Sequence, residues 1–189
     1  TNKIIEKAVP KKFRIPENVV KVEDFLKKNI KPSWLLLGVK PQQINSVYQE
    51  IRRVKVDWIS TTPILSIVAG LNIKTLQVLT KNKNIFRAMP NTPAIIRMGI
   101  TGYFCTKNLS LKLEKDAVRF LSQVGEVVKL PNEQCIDVVT AISGSGPGYT
   151  FKFISALEMA ALNVGLPKSF INKFIFSTLN GSLQLWNQG

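Results

Sequence analysis

The sequence of 189 residues contains no histidine and only two cysteines. Histidine is the most common general base and metal ligand in proteins, so its absence excludes a Ser-His-Asp hydrolase and argues against a zinc site. Cys105 and Cys135 have no metal-ligand spacing. We interpret them as small buried apolar residues, not as a disulfide. The sequence therefore predicts that the protein holds no metal.

Long hydrophobic runs are missing as well, although 45% of the residues are apolar. A membrane-spanning helix needs about 18 or more consecutive apolar residues, and no run of that length occurs. The first residues also lack the charged and then apolar pattern of a signal peptide. We expect a cytoplasmic protein with a buried core and no contact with a membrane.

Acidic residues are few, since 12 Asp and Glu stand against 26 Lys and Arg, for a net charge of +14. Such a surplus can mark a nucleic-acid surface. Here the basic residues are spread along the chain without interleaved aromatic residues, which favours solvated faces. RNA or DNA binding by a basic α/β domain stays as the less favoured alternative, to be tested by the salt dependence of a gel shift.

Apolar runs of strand length alternate with helical patterns along most of the chain. Strands are predicted at the end of residues 1–8 and at 34–39, 58–69, 85–89, 99–105 and 125–130. Helices are predicted at 19–29, 42–54, 71–80, from 111 onward, and at 137–142, 149–163 and 168–186. Pro63 cannot donate a ladder hydrogen bond, so we place it at the first residue of its strand or on an edge. The alternation predicts an open α/β sheet.

The last two predicted helices are apolar on most of their faces. Gly165 is suited to end the first of them and Pro167 to begin the second. Helices of this kind need partners, and one short chain offers too few. We infer a homodimer, or a higher homo-oligomer, that is built from these helices.

Four loops carry the residues best suited to contact a ligand. In an open α/β sheet, dinucleotides bind beyond the carboxyl ends of the strands, where Val39-Lys40-Pro41, Val68-Ala69-Gly70 and Met89-Pro90-Asn91-Thr92-Pro93 are expected. Gly70 lets the backbone approach a flat ring, and two prolines fix the amide of Asn91 and the hydroxyl of Thr92. The fourth loop, Ser143-Gly144-Ser145-Gly146-Pro147, is expected to interrupt the helical pattern and to offer N–H groups to a carboxylate.

These motifs, in this order and separation, resemble pyrroline-5-carboxylate reductase, which reduces pyrroline-5-carboxylate to L-proline with NAD(P)H. The strand-end segments, the Gly165-Leu166-Pro167 turn and the Ser-Gly-Ser-Gly-Pro motif carry the resemblance from about residue 35 to residue 186. Gly148 departs from the alanine that is usual in the family. The resemblance implies an incomplete Rossmann-like doubly wound sheet at residues 1–131, followed by an all-α dimerisation and substrate domain at 132–189.

The resemblance also implies site residues and cofactors. The cofactor is expected to be NADP(H) or NAD(H), and a cation at Lys3 would favour the 2′-phosphate of NADP. Cofactor contacts are expected from Asn2, Lys3, Val39, Lys40, Pro41, Ala69, Gly70, Met89 and Pro90. Catalytic roles in orientation or proton supply are expected for Asn91, Thr92 and Ser145. Substrate contacts are expected from Ser143, Gly144, Ser145 and Gly146.

Two motifs of the resembled family do not occur in the sequence. One is the G-x-G-x-x-G turn that cradles the pyrophosphate, and the other is a Ser-Pro-Gly-Gly-Thr-Thr loop that holds the substrate carboxylate. We therefore expect a fragment-like chain that is inactive or very weak by itself. The alternative to a reductase is a non-catalytic, degenerate family member or the product of a pseudogene.

Overall fold

A computed structural model describes residues 31–53 and 57–189, and these residues form a five-stranded sheet in the order β1-β2-β3-β4-β5. The strands are β1 (Leu35–Leu37), β2 (Ile64–Ser66), β3 (Ile85–Met89), β4 (Gly99–Cys105) and β5 (Gly125–Lys129). Strands β1, β2 and β3 are parallel, β4 is antiparallel to β3, and β5 is parallel to β4. The predicted α/β sheet is confirmed, with a reversal of direction between β3 and β4.

Six α-helices accompany the sheet in the described residues. They are α1 (Ile44–Arg53), α2 (Ile73–Thr80), α3 (Leu111–Leu121), α4 (Gln134–Val139), α5 (Gly146–Asn163) and α6 (Lys168–Trp186). Short 3-10 turns occupy Pro41–Gln43, Asp57–Ser60, Thr92–Ile96 and Ser122–Val124. In the described part of the chain, no helix is both long and apolar enough to cross a bilayer.

The hydrophobic core lies on both faces of β3, whose five residues are all buried. On one face Ile64 and Ile85 pack with Ile73 and Leu76 of α2. On the other face Phe86 and its neighbours pack with the buried side of α3. Successive side chains of a strand point to opposite faces, so β3 supplies both cores and serves as the central support of the strand ends described below.

The strand predicted at residues 58–69 is too long. Only Ile64–Ser66 is a strand, and Asp57–Ser60 forms a 3-10 turn that buries Trp58 and Ile59. Pro63 lies directly before β2, where its carbonyl accepts a hydrogen bond from the N–H of Leu35 at 2.9 Å. Proline has no N–H to donate to a neighbouring strand, so its position directly before β2 agrees with the expectation that it lies where the strand begins.

The interruption predicted at Ser143–Pro147 is also wrong. After α4 the backbone continues through a π-helical turn at Thr140–Gly144, and α5 begins at Gly146 instead of at residue 149. The hydroxyl of Ser143 donates to the carbonyl of Val139 at 2.9 Å, a bond to the preceding turn that a Ser side chain makes within a helical segment. The strand and helix predicted within residues 1–8 and 19–29 lie outside the described residues.

Candidate functional site

The three parallel strands β1, β2 and β3 end at the same edge of the sheet, because their registers are in phase. The predicted cofactor residues follow each of these ends. Val39 and Lys40 come after β1, Ala69 and Gly70 after β2, and Pro90 after β3, whose last residue is Met89. Pro41 begins the 3-10 turn that leads into α1. Predicted contacts from Asn2 and Lys3 fall outside the described residues.

The loop after β2 bends sharply at Gly70. This residue has a φ of +72°, a left-handed conformation that glycine adopts without a steric penalty. A Cβ atom added to Gly70 would meet no heavy atom within 4 Å. The backbone at this strand end is therefore uncovered, and a flat ring can approach it.

Asn91 connects the loop after β3 to the start of β4. Its side-chain Oδ1 accepts a hydrogen bond from the N–H of Ile100 at 2.9 Å. The neighbouring Thr92 opens the 3-10 turn and its side chain is exposed. Since Oδ1 is occupied, the amide group that Asn91 can offer to a ligand is its Nδ2, a hydrogen-bond donor.

The segment from Ser143 to Gly146 lies beside the end of β3. A Cβ atom on Gly144 would stand 3.8 Å from both Cγ and Sδ of Met89, which is ordinary van der Waals contact. The structure thus brings together two predicted stretches that are more than fifty residues apart in the chain. Any ligand that contacts one of them is within reach of the other.

The polar groups of this segment are partly engaged with the helix itself. The N–H of Ser145 donates to the carbonyl of Thr140 at 2.9 Å, and its hydroxyl donates to the same carbonyl at 3.2 Å. The expectation that this N–H is free for a carboxylate is therefore wrong. The hydroxyl oxygen of Ser145 keeps its lone pairs and remains exposed at the surface.

Arg87 is the buried charge that the sequence interpretation overlooked. Its side chain is only 2% exposed, and its terminal nitrogens donate to Glu133 and Asp137, each at 2.9 Å. The sequence signals available were a cation within an otherwise apolar strand and two carboxylates spaced four residues apart, but neither signal shows that these residues meet. Burying a guanidinium costs free energy unless it is paired in this way.

Comparison with known proteins gives a match to one family model and a group of similar proteins. Residues 133–189 match the family model described as pyrroline-5-carboxylate reductase dimerisation. The pyrroline-5-carboxylate reductase of Synechocystis sp. is 34% identical over 151 residues, which is 80% of this chain and 55% of that protein. The reductase of Pseudomonas aeruginosa is also 34% identical, over 153 residues, again 80% of this chain and 55% of the relative.

Solved structures give the same result. A pyrroline carboxylate reductase of Plasmodium falciparum, determined with NADP bound, is 30% identical and superimposes with a TM-score of 0.74 over 82% of this chain and 60% of that chain. The Coxiella burnetii reductase is 28% identical, with a TM-score of 0.71 over 86% and 60% of the two chains. The chain spans about half the length of the curated relatives that it matches. Over the part of their length that it spans, the chain is similar to pyrroline-5-carboxylate reductases.

Proposed function

We propose that the protein reduces 1-pyrroline-5-carboxylate to L-proline by hydride transfer from NAD(P)H. The observation that carries this proposal is the proximity of Gly144 to Met89, since a Cβ atom on Gly144 would stand 3.8 Å from the Met89 side chain, so the Ser-Gly-Ser-Gly segment lies beside the strand-end loops. Reduction of a protonated imine needs a hydride donor, exclusion of water and orientation of the substrate, and hydride addition to its carbon gives the amine directly. It needs neither a metal nor a nucleophile, so a chain without histidine is suited to it.

The dinucleotide is proposed to lie along the ends of the three parallel strands. Lys40 presents an exposed ammonium for the ribose and phosphates, with Val39 and Pro41 beside it, and the turn at Ala69 and Gly70 leaves space for a flat ring. Met89 and Pro90 border the position proposed for the nicotinamide, which supplies the hydride when bound. NADP in the Plasmodium falciparum relative favours NADP(H) over NAD(H) here, with Asn2 and Lys3 as proposed contacts of its adenosine end.

The substrate is proposed to lie between Asn91 and the segment that contains Ser143, Gly144, Ser145 and Gly146. The amide Nδ2 of Asn91 and the exposed hydroxyl of Thr92 are donors on one side of that space. Ser145 stands on the other side, one residue before α5, with an exposed hydroxyl whose oxygen can hydrogen-bond to the substrate. These groups would orient the ring and its carboxylate for hydride transfer.

The partner that we propose is a second copy of this chain. Helices α5 and α6 expose large apolar side chains that a lone subunit would leave in water. The matching family model describes dimerisation and covers both helices from residue 133 onward. A homodimer that buries these side chains is therefore the assembly in which the proposed reaction is expected to occur.

The proposal is tested by the substrate-dependent oxidation of NADPH and of NADH, followed at the nicotinamide absorbance. A full-length family member serves as the positive control, and circular dichroism establishes that the sample is folded. Turnover that requires pyrroline-5-carboxylate supports the proposal. Absence of turnover in a folded sample contradicts it for this chain and supports a non-catalytic family member instead.

A matched pair of serine variants then tests the site. Ser145 and Ser122 both donate a hydroxyl hydrogen to a backbone carbonyl of their own helical segment, but Ser122 lies at the end of α3, away from the site. We expect Ser145→Ala to raise KM for pyrroline-5-carboxylate about tenfold, the effect of losing one polar contact worth about 1.4 kcal/mol. Ser122→Ala should leave KM unchanged. Equal effects of the two substitutions would remove Ser145 from the proposed site.

A further inference from the structure

The buried Arg87 is held almost entirely by residues that lie outside its own strand. Its Nη1 donates to Glu133 and its Nη2 donates to Asp137, both at 2.9 Å, and its buried Nε has no hydrogen-bond partner among the described residues. Two bonds from one planar guanidinium fix an angle as well as a distance. The start of α4 is therefore fixed relative to β3 in direction and in position.

Glu133 extends this connection to the loop after β2. The same oxygen, Oε1, that accepts from Arg87 also accepts the backbone N–H of Ile73 at 2.6 Å. Ile73 is the first residue of α2 and follows the turn at Gly70 by three positions. One carboxylate thus joins the start of α2, the middle of β3 and the segment that leads into α4.

Helix α4 connects the Arg87 ion pairs to the proposed substrate segment. It runs from Gln134 to Val139 and continues without interruption into the π-helical turn that ends at Gly144. Gly144 lies near Met89, two residues after Arg87 in β3, because a Cβ atom added to Gly144 would stand 3.8 Å from the Met89 side chain. The ion pairs thus attach the start of this helical stretch to β3, and the end of the stretch lies near the same strand.

Packing alone does not require a charge at this position. Replacing buried ion pairs by apolar residues of similar volume is often neutral or stabilising, because desolvation offsets most of the Coulombic gain. An apolar side chain would fill the space but would not set the direction of α4. The property that only the ionic cluster supplies is the fixed geometry between the strand ends and the substrate segment.

We propose that Arg87, Glu133 and Asp137 form a positioning cluster that fixes the Ser143–Gly146 segment against the cofactor loops, with Arg87 as its central positioning residue. The part of this proposal that concerns turnover rests on the proposed reductase function. Its geometric part, the attachment of α4 to β3 and α2, does not depend on any reaction. The two parts are therefore measured separately.

The most informative variant is Asp137→Asn. The Asp137 side chain is 68% exposed, so removing its charge leaves the chain able to fold, whereas changes at Arg87 leave both Glu133 and Asp137 without their cation. Glu133→Gln provides a second variant and Arg87→Lys a third, which keeps the charge but loses the paired geometry. The matched control is Glu114→Gln, which breaks a 2.7 Å ion pair with Lys129 that bridges α3 and β5.

Hydrogen exchange measures the geometric part. In Asp137→Asn we expect the amides of residues 140–148 to exchange about tenfold faster than in the unaltered protein, with residues 111–121 unchanged. Glu114→Gln should speed exchange at residues 111–121 and leave residues 140–148 unchanged. Exchange at 140–148 that stays the same in all three cluster variants would overturn the proposal.

Steady-state kinetics measure the catalytic part. Displacement of a reacting group by about 1 Å can cost about 100-fold in rate, so we expect kcat to fall at least about tenfold in Asp137→Asn while KM for NADPH changes less than about twofold. Glu114→Gln should keep kcat. Faster exchange with an unchanged kcat would reduce the cluster to a structural role and overturn its positioning role. If the unaltered folded chain shows no turnover, the proposed function fails, and hydrogen exchange alone decides whether the cluster fixes the segment.

Discussion

Tyr103, Glu114 and Lys129 form a polar group on the face of the sheet that α3 covers. The Tyr103 hydroxyl donates to Glu114 at 3.0 Å, and the Lys129 ammonium donates to the same oxygen at 2.7 Å. The ring of Tyr103 stacks on Phe86 with centroids 4.6 Å apart. The hydrogen bond from Lys129, followed by that from Tyr103, lowers the pKa of the Glu114 carboxyl below its ordinary value of 4.5, although burial opposes this shift.

This depressed pKa predicts a stability that depends on pH in the acid range. A carboxyl whose pKa is lower in the folded state stabilises the protein above its unfolded pKa, and this contribution is lost as pH falls through the folded pKa. Between about pH 5 and pH 3 we expect the free energy of unfolding of the unaltered protein to fall more steeply than that of Glu114→Gln. The difference should be about 1 kcal/mol, because Lys129 is half exposed and solvent weakens its ion pair. Urea denaturation across this range measures it. Parallel curves for the two proteins would contradict the prediction.

Gly125 begins β5 opposite Gly99, the first residue of β4. Its φ is +147°, and an added Cβ atom would clash with the carbonyl group of Gly99. We expect Gly125→Ala to destabilise the protein by at least about 3 kcal/mol, since a backbone clash adds to the strain of the conformation. The control is Gly148→Ala in the first turn of α5, where an added Cβ meets nothing within 4 Å, and which should be neutral or stabilising by up to about 1 kcal/mol. Thermal denaturation compares the two, and a similar melting temperature for both would contradict the clash.

Between α2 and β3, the chain turns around one buried amide. The Nδ2 of Asn82 donates to the carbonyls of Ile59 and Thr62 at 2.7 and 2.5 Å, and its Oδ1 accepts from the N–H of Asn84 at 2.8 Å. Asn82 is completely buried. These bonds connect the 3-10 turn before β2 to the turn before β3, at the end of the strands away from the proposed site.

Removing this amide leaves several buried backbone groups without partners. We expect Asn82→Ala to lower the free energy of unfolding by about 3 kcal/mol, because each unsatisfied buried group costs about 1 to 3 kcal/mol. Asn108→Ala, in an exposed turn, should change it by less than about 0.5 kcal/mol. Urea denaturation at neutral pH measures both. A loss below about 1 kcal/mol for Asn82→Ala would show that water replaces the amide at little cost.

The strands and turns also show which structural features can be predicted from the sequence. Strands β3 and β4 have the predicted bounds, because their apolar runs end where Pro90 and the polar turn after Cys105 begin. The run from Trp58 was misread since a buried 3-10 turn and a buried strand have the same composition. The Arg87 cluster escaped notice for a different reason. Its partners lie 46 and 50 residues away, and no local pattern encodes such distances.

For the molecule as a whole, the apolar surface is distributed unevenly. Both core clusters lie at the sheet, whereas α5 has no buried residue and α6 has only Ile171. Large apolar side chains project from these two helices into solvent; among them are Phe151, Phe153, Met159, Leu162, Phe170, Phe174, Phe176, Leu183, Leu185 and Trp186. Monomeric proteins rarely expose continuous apolar patches beyond a few hundred Å². The sequence already indicated this property, because the apolar residues of both helices follow no single stripe.

The proposed homodimer leads to a prediction about two side chains with nearly equal exposure. Phe176 on α6 is 72% exposed and borders the groove between α5 and α6, while Val78 on α2 is 70% exposed at the sheet. If a second copy covers α5 and α6, Phe176→Glu places an unpaired charge in the interface and should shift the protein to the monomer mass in sedimentation equilibrium. Val78→Glu adds the same charge outside the interface and should leave the dimer intact. The same mass for both variants would contradict the proposal that a partner subunit covers α5 and α6.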